Sequence, residues 1–245
     1  SSGEVVAEGF NGPMGVLVDS AGDIWVVDSG TGGDQAVEGT SPEGEAMTGS
    51  MGMTSRVVKV SASDGSQTEI ATLPSLNSGL ESEGGSRLAQ LRGITYVTAP
   101  GWHPGMIPAT AEEPMPLTGG ILRITPSGEA VEAVPMWQYE KNNDTDNELD
   151  NHPYGLIATE DGALLMTDAG GNALYRVNPA SRRAKLLATF DPLPGVFPNP
   201  KYNNEMLTDA VPTGVAVREG TIYVGFLSGA PFLPGNAKVV TVAED

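Results

Sequence analysis

The feature that most limits the fold of this chain is a two-part internal repeat. Three segments, GPMGVLVDSAGDIWVVDSG (12–30), HPYGLIATEDGALLMTDAGG (152–171) and VPTGVAVREGTIYVGFLSG (211–229), share one pattern. Each runs from Pro-x-Gly through a short apolar stretch, a Gly-containing turn and a second apolar stretch. A degenerate copy, SRLAQLRGITYVTAPG (86–101), keeps the two stretches and the turn but lacks Pro-x-Gly. A second unit follows each: SRVVKVSASDGSQTEIATLP (55–74), GGILRITPSGEAVEAVP (119–135) and NALYRVNPASRRAKLLATF (172–190), with NAKVVTVAED (236–245) beginning a fourth. Aligning Val60, Ile124, Val177 and Val242 spaces the units about 53 to 65 residues apart. Two hairpins per unit are four antiparallel strands, and four-stranded units repeated at this spacing specify an all-β protein, a β-propeller. The blades fall at about 12–74, 86–135, 152–190 and 211–245 of a single domain. GEVVAEGF (3–10) resembles an outermost strand, so residues 4–9 are expected to close the last blade or to pair with a neighbouring molecule.

Composition agrees with a turn-rich β protein: 32 Gly and 19 Pro in 245 residues, and no long helical pattern. There is no cysteine, so no disulfide holds the fold. A formal charge of −18 argues against nucleic acid, whose phosphates would be repelled, and fits an extracellular protein or one that recruits cations. No apolar run approaches the length of a membrane span.

The short connections, at Gly22-Asp23, Asp64-Gly65, Arg92-Gly93, Ser127-Gly128 and Asp161-Gly162, alternate with long ones. Alternation places the long ones, about 29–54, 74–86, 99–118, 135–152, 191–211 and 227–236, on one face. They hold more than half of the 31 acidic residues, both histidines (His103 and His152), and only Lys141 and Lys201 among the bases. Within them, NNDTDNELDNHPYG (142–155) sets Asp144, Asp146, Glu148 and Asp150 at alternate positions, hard oxygen ligands of the kind that calcium takes. The EF-hand pattern fails, because Leu149 and Gly155 stand where it needs Gly and Glu. A different calcium geometry would draw on Asn151, His152 and Asp209 as well, against the plain alternative of a solvated acidic loop.

Other chemistries have less support. Two histidines without cysteine make a poor transition-metal set, and no Gly-x-Ser-x-Gly elbow occurs. Asp28 and Asp168 fall at matching places in their repeats, which points first to a structural role in holding the adjoining turn. The segment 29–54 has no phosphate-loop signature and reads as a mobile acidic insertion. The Pro-rich segment 101–118 carries Trp102, Met106 and Ile107, which read as exposed.

The run NNDTDNELDNHPYGL, then MTDAGGNALYRV, then VPTGVAVREGTIYVGFLSGAPFLPGNAKV resembles the ScyD/ScyE family of exported bacterial propellers, of the NHL/SMP-30-like kind. The matching positions are Pro153-Tyr154-Gly155, Asp168 to Leu174, Val211 to Val217 and Tyr223 to Gly235. Two departures are His152, where the family has Asn, and the shortened start of the second unit. The resemblance implies a secreted, six-bladed propeller with a binding role, its members running about two blades further than this chain.

Three functions follow as expectations. The first is a secreted scaffold binding a protein, a cationic ligand or another small molecule through the acidic face, with calcium. The second is a metal-dependent lactone hydrolase or lyase, in which Asn11, Asn151, His152 and Asp209 converge on the axis. The third is a homo-oligomer or filament built by strand exchange through residues 4–9.

Overall fold

A computed structural model describes residues 3–40, 46–79, 81–102, 114–143 and 149–243. The chain is an all-β propeller whose blades are antiparallel sheets built on the repeat. The first blade contains β1 (Pro13–Val18), β2 (Ile24–Asp28), β3 (Gln35–Thr40), β4 (Ala46–Val60), β5 (Gln67–Asn77) and β6 (Ser82–Glu83). The second contains β7 (Leu88–Leu91), β8 (Ile94–Ala99), β9 (Gly120–Ile124) and β10 (Ala130–Val134). A short helix, α1 (Met136–Asn143), leads to the third, with β11 (Pro153–Ala158), β12 (Leu164–Asp168), β13 (Ala173–Asn178) and β14 (Arg183–Thr189). A separate hairpin, β15 (Leu193–Asn199) and β16 (Glu205–Thr208), precedes the fourth blade, which has β17 (Pro212–Arg218), β18 (Thr221–Phe226) and β19 (Val239–Ala243).

The register of the repeat follows its sequence alignment. Val60 pairs with Ile24, Val177 with Leu164 and Val242 with Ile222. Each Pro-x-Gly strand bonds to its neighbour at the open end in the same way: the N–H groups of Ser29, Ala169 and Leu227 donate to the carbonyls of Gly12, His152 and Val211. The tight turns take positive φ where expected, with Arg92 at 53° and Gly93 at 78°, and Glu219 at 53° and Gly220 at 76°.

The core lies between blades. Val27, Val57 and Leu73 meet Leu88, Val97 and Leu122 between the first and second. Tyr96 and Ile121 meet Leu156, Met166 and Tyr175 between the second and third, and Leu165 and Leu174 meet Ile222, Val224 and Phe226 between the third and fourth. Alternation of side chains along each strand puts one set on each face, so every interior blade is apolar on both.

Three expectations are corrected. Residues 4–9 form no strand and do not pair with β19. The carbonyls of Glu8 and Gly9 instead accept hydrogen bonds from Gln67 and Arg56, which set the segment against the first blade. The 29–54 connection, expected as a mobile acidic insertion, carries strand structure: β3 pairs with the first half of the 15-residue β4 from Gln35↔Met51 to Thr40↔Ala46, extending the blade beyond the sheet's end. Trp102 is 2% exposed, packed with Met51 and Leu76, because that extension gives it an apolar wall. Met106 and Ile107 lie outside the described residues.

Candidate functional site

The backbone just ahead of the inner strands is fixed by two carboxylates in equivalent positions. Asp28, at the end of β2 opposite Pro13, accepts from the N–H groups of Asn11 (3.1 Å) and Gly12 (2.6 Å) and from Arg56 Nε (3.1 Å). Asp168, opposite Pro153, accepts from the N–H groups of His152 (2.8 Å) and Gly171 (3.1 Å) and from Asn151 Nδ2 (2.9 Å). Both side chains are buried. They secure the chain as it enters the inner strand, as well as the turn that follows.

Their electrostatics differ. Burial pushes the Asp28 carboxyl up, but the Gly12 and Asn11 N–H groups and the Arg56 guanidinium outweigh it, and the net direction is down. Among the described residues no guanidinium stands beside Asp168, because Ala173 holds the place on the neighbouring strand from which Arg56 faces Asp28. Burial therefore prevails over the His152 and Gly171 N–H groups, and its carboxyl is pushed up.

The secured segments converge on a cavity of about 610 Å³ at the loop-rich face. Residues at the start of the four inner strands or just ahead of them line it: Asn11, Gly12 and Met14; Glu83, Gly84 and Ser86; Asp150, His152 and Tyr154; Asp209, Val211 and Thr213. Glu81, Leu227 and Phe232 complete its acidic and apolar wall, and among the described lining residues there is no Lys or Arg. Fields from like charges add in a concave, partly apolar site, so this geometry favours cations.

Of the seven residues expected to bind a metal, Asp150, His152 and Asp209 line this cavity. Asn151 stands behind the wall, 2% exposed, its amide turned to Asp168. Asp144, Asp146 and Glu148 lie outside the described residues, as does His103. Asp209 is already occupied by other donors: Oδ1 accepts from Tyr202 Oη (2.6 Å), Asn172 Nδ2 (2.7 Å) and Lys201 Nζ (2.8 Å). The backbone N–H of Asp150 donates to Glu140 Oε1 of α1 (2.9 Å), and the His152 ring lies 5.9 Å from that of Tyr154. Among the described residues no group of three or more His, Asp or Glu side chains stands close enough to hold a metal ion.

Position ahead of an inner strand leads the sequence reading to Asn11, Asn151, His152 and Asp209; of these Asn11, His152 and Asp209 line the cavity and Asn151 does not. Glu81 and Glu83 were missed as site residues because the second unit lacks the Pro-x-Gly marker. Glu83 Oε2 is held by Trp102 Nε1 at 2.7 Å, so the buried indole orients this acid at the rim. The signal available in sequence was the spacing of Gly84-Gly85-Ser86 from the apolar strand that follows.

No family model matches the chain, and no curated protein resembles it in sequence. Among solved structures it is similar to a streptogramin B lyase, at 17% identity and TM-score 0.42 over 94% of this chain and 68% of that one. It is similar also to a putative oxidoreductase (glucose dehydrogenase) from Thermus thermophilus, at 17% identity and TM-score 0.42 over 98% and 85%. A virginiamycin B lyase from Staphylococcus aureus matches at 12% identity and TM-score 0.35 over 96% and 85%. At these identities the likeness is one of fold.

Proposed function

We propose that this protein is a binding propeller that takes an organic cation with an apolar body into its axial cavity. In keeping with the ScyD/ScyE resemblance, we place it outside the cell. The observation that supports the reading most is the composition of the cavity wall. Glu81, Glu83, Asp150 and Asp209 stand with Met14, Tyr154, Leu227 and Phe232 around one volume of about 610 Å³. That volume is within the range of small-molecule sites, and aromatic faces add attraction for ammonium or guanidinium groups.

The competing enzyme reading needs Asn11, Asn151, His152 and Asp209 to share one metal. Asp209 Oδ1 already serves Lys201, Tyr202 and Asn172, and Asn151 is buried behind the cavity wall, 2% exposed, rather than on it. A binding role does not need these residues to share one ligand: the Lys201 ammonium offsets part of the pull of Asp209 on a cation, while Glu81, Glu83 and Asp150 also line the cavity. Calcium held by Asp144, Asp146, Glu148 and Asp150 is the inorganic counterpart of the same reading, and it is tested separately below.

The experiment is calorimetric titration with benzyltrimethylammonium and arginine methyl ester, each beside a neutral compound of the same shape. The cations are expected to bind and the neutral compounds not to. Glu83→Gln and Asp150→Asn are each expected to weaken binding, and added salt to weaken it further. Equal affinity for charged and neutral probes would refute the proposal.

A further inference from the structure

At the end of the propeller opposite the cavity, where the short turns lie, the third blade departs from the repeat. Lys59, Arg123 and Arg176 hold equivalent places, each one residue before the aligned Val60, Ile124 and Val177. Across the ladder to the outer strand they stand opposite Thr68, Val131 and Lys185 respectively. Of these three pairs only the last sets base against base. Like charges directly opposite one another on neighbouring strands are destabilising. The chain accepts that cost here although it has 31 acidic residues and only 13 bases.

The next pair toward the turn, Asn178↔Arg183, adds another base. Alternation along β13 and β14 puts Arg176, Asn178, Arg183 and Lys185 on one face of the blade. With the Asp161-Gly162 turn they enclose a groove of about 450 Å³. Every residue of its wall belongs to the third blade, which packs on the second through β7 and on the fourth through β17. Asp161 is the one carboxylate among the described lining residues, and it is bound to Arg176. Arg183 and Lys185 are exposed and have no ion pair among the described residues. Asn178 Oδ1 accepts from the Ser181 N–H (3.1 Å), which leaves its amide nitrogen to donate. Gly162, at φ 91°, admits a further guanidinium behind the turn: Arg92 Nη2 of the second blade lies 2.5 Å from where a Cβ would stand.

We propose that this groove is a second binding site, for the sulfate or phosphate ester of a small polar molecule. The Arg183 guanidinium offers a planar fork that suits a tetrahedral oxyanion, and the Lys185 ammonium beside it adds charge from the same side. Fields from like charges add in a concave site, and an anion there relieves the repulsion between Arg176 and Lys185. The groove is larger than a lone oxyanion, so it has room for the body that carries the ester. The site lies at the opposite end from the axial cavity and does not rest on what that cavity binds.

The test is calorimetric titration at low ionic strength with glucose 6-phosphate, glucose 6-sulfate and glucose. Both esters are expected to bind and glucose not to, and the tighter of the two esters identifies the oxyanion the groove prefers. Arg183→Gln and Lys185→Gln should each weaken ester binding about 10-fold, the loss of one charge-assisted hydrogen bond. Both side chains are exposed, so circular dichroism and melting should stay as in the parent. Arg182→Gln removes the same charge one residue away, but Arg182 bonds to Glu132 of the second blade (2.8 Å) outside the groove, so ester binding should be unchanged. Failure of both esters to bind overturns the proposal. So does glucose binding as tightly as its esters, or Arg182→Gln weakening them as much as Arg183→Gln, which would mean diffuse charge rather than a site.

Discussion

Replacing the two equivalent carboxylates one at a time should give unequal results, and the inequality can be worked from their partners. In Asp28→Asn one acceptor oxygen remains for the Asn11 and Gly12 N–H groups, but an amide NH₂ then faces Arg56 Nε, formerly 3.1 Å from Oδ2. A buried charge-assisted hydrogen bond contributes about 1.5–3 kcal/mol, and a buried donor left facing another donor adds to the loss. Arg56 is 28% exposed at its side chain, so water recovers part of this. The expected cost is about 2–3 kcal/mol, or a fall in Tm of about 4–12 °C for a chain of this size.

In Asp168→Asn the outcome differs. Oδ1 still accepts from His152 and Gly171, and the new NH₂ faces the amide of Asn151. Asn151 Oδ1 is buried and has no hydrogen-bond partner among the described residues, so a half-turn of that amide supplies an acceptor. The substitution also removes a carboxylate whose ionised form burial disfavours. The net change should stay within about 1 kcal/mol. The pH dependence has opposite signs at the two sites. The Asp28 carboxyl is depressed, so its contribution is complete above the unfolded value near 3.8 and fades as pH falls through the folded value. The Asp168 carboxyl is raised, so the favourable state is the protonated one, and stability is lost as pH rises through its folded value. Urea denaturation of the three proteins at pH 7, at about pH 4 and at about pH 2.5 reads all of this, the lowest pH being the one that tests Asp28. If Asp168→Asn costs as much as Asp28→Asn at pH 7, the reasoning is wrong.

Three further outcomes are expected. Gly155→Val places side-chain carbon against Thr167 Oγ1 and the Thr213 carbonyl, at 2.6 and 2.7 Å from the Cβ position, and should cost about 3 kcal/mol or more in thermal or urea unfolding. A variant that melts within about 1 °C of the parent would contradict the blade spacing. Lys201→Met removes the ammonium from Asp209 and should raise affinity for the ammonium probes by about 3- to 10-fold, an effect that calorimetry reads directly. An unchanged constant would mean that cavity charge does not set binding. Adding calcium should raise the Tm of the intact chain but not of a variant with Asp144, Asp146 and Asp150 changed to Asn and Glu148 to Gln. Equal response from the two proteins would remove calcium from the acidic stretch.

The hairpins were legible because their determinants are local: Pro-x-Gly, alternation of apolar residues and a turn glycine each act within a few residues. What was not legible depends on distant groups. Trp102 is buried by Met51 and Leu76, which only the β3–β4 extension brings to it. Helix α1 is seated by Met136 and Tyr139 on the core between the second and third blades and by buried Glu140, which accepts from the Asp150 N–H, contacts with distant groups that its own eight residues do not announce. The candidate site was half legible for a related reason. Residues ahead of the inner strands could be placed near the axis by counting, but counting could not show that Asn151 turns away to Asp168, or that Asp209 meets Lys201. Comparing equivalent positions goes one step further. Positions the units share, such as Pro13, Pro153 and Pro212 or Gly15, Gly155 and Gly214, set strand register and blade spacing. Positions where the units differ, Phe10 against Asp150 and Asp209, or Gly12 against His152 and Val211, lie just ahead of the inner strands. Asp150, Asp209, Gly12, His152 and Val211 line the cavity. In a repeat of this kind the shared residues build the ring and the departures from the repeat furnish its centre, which is why internal comparison located the cavity even where no motif named its ligand.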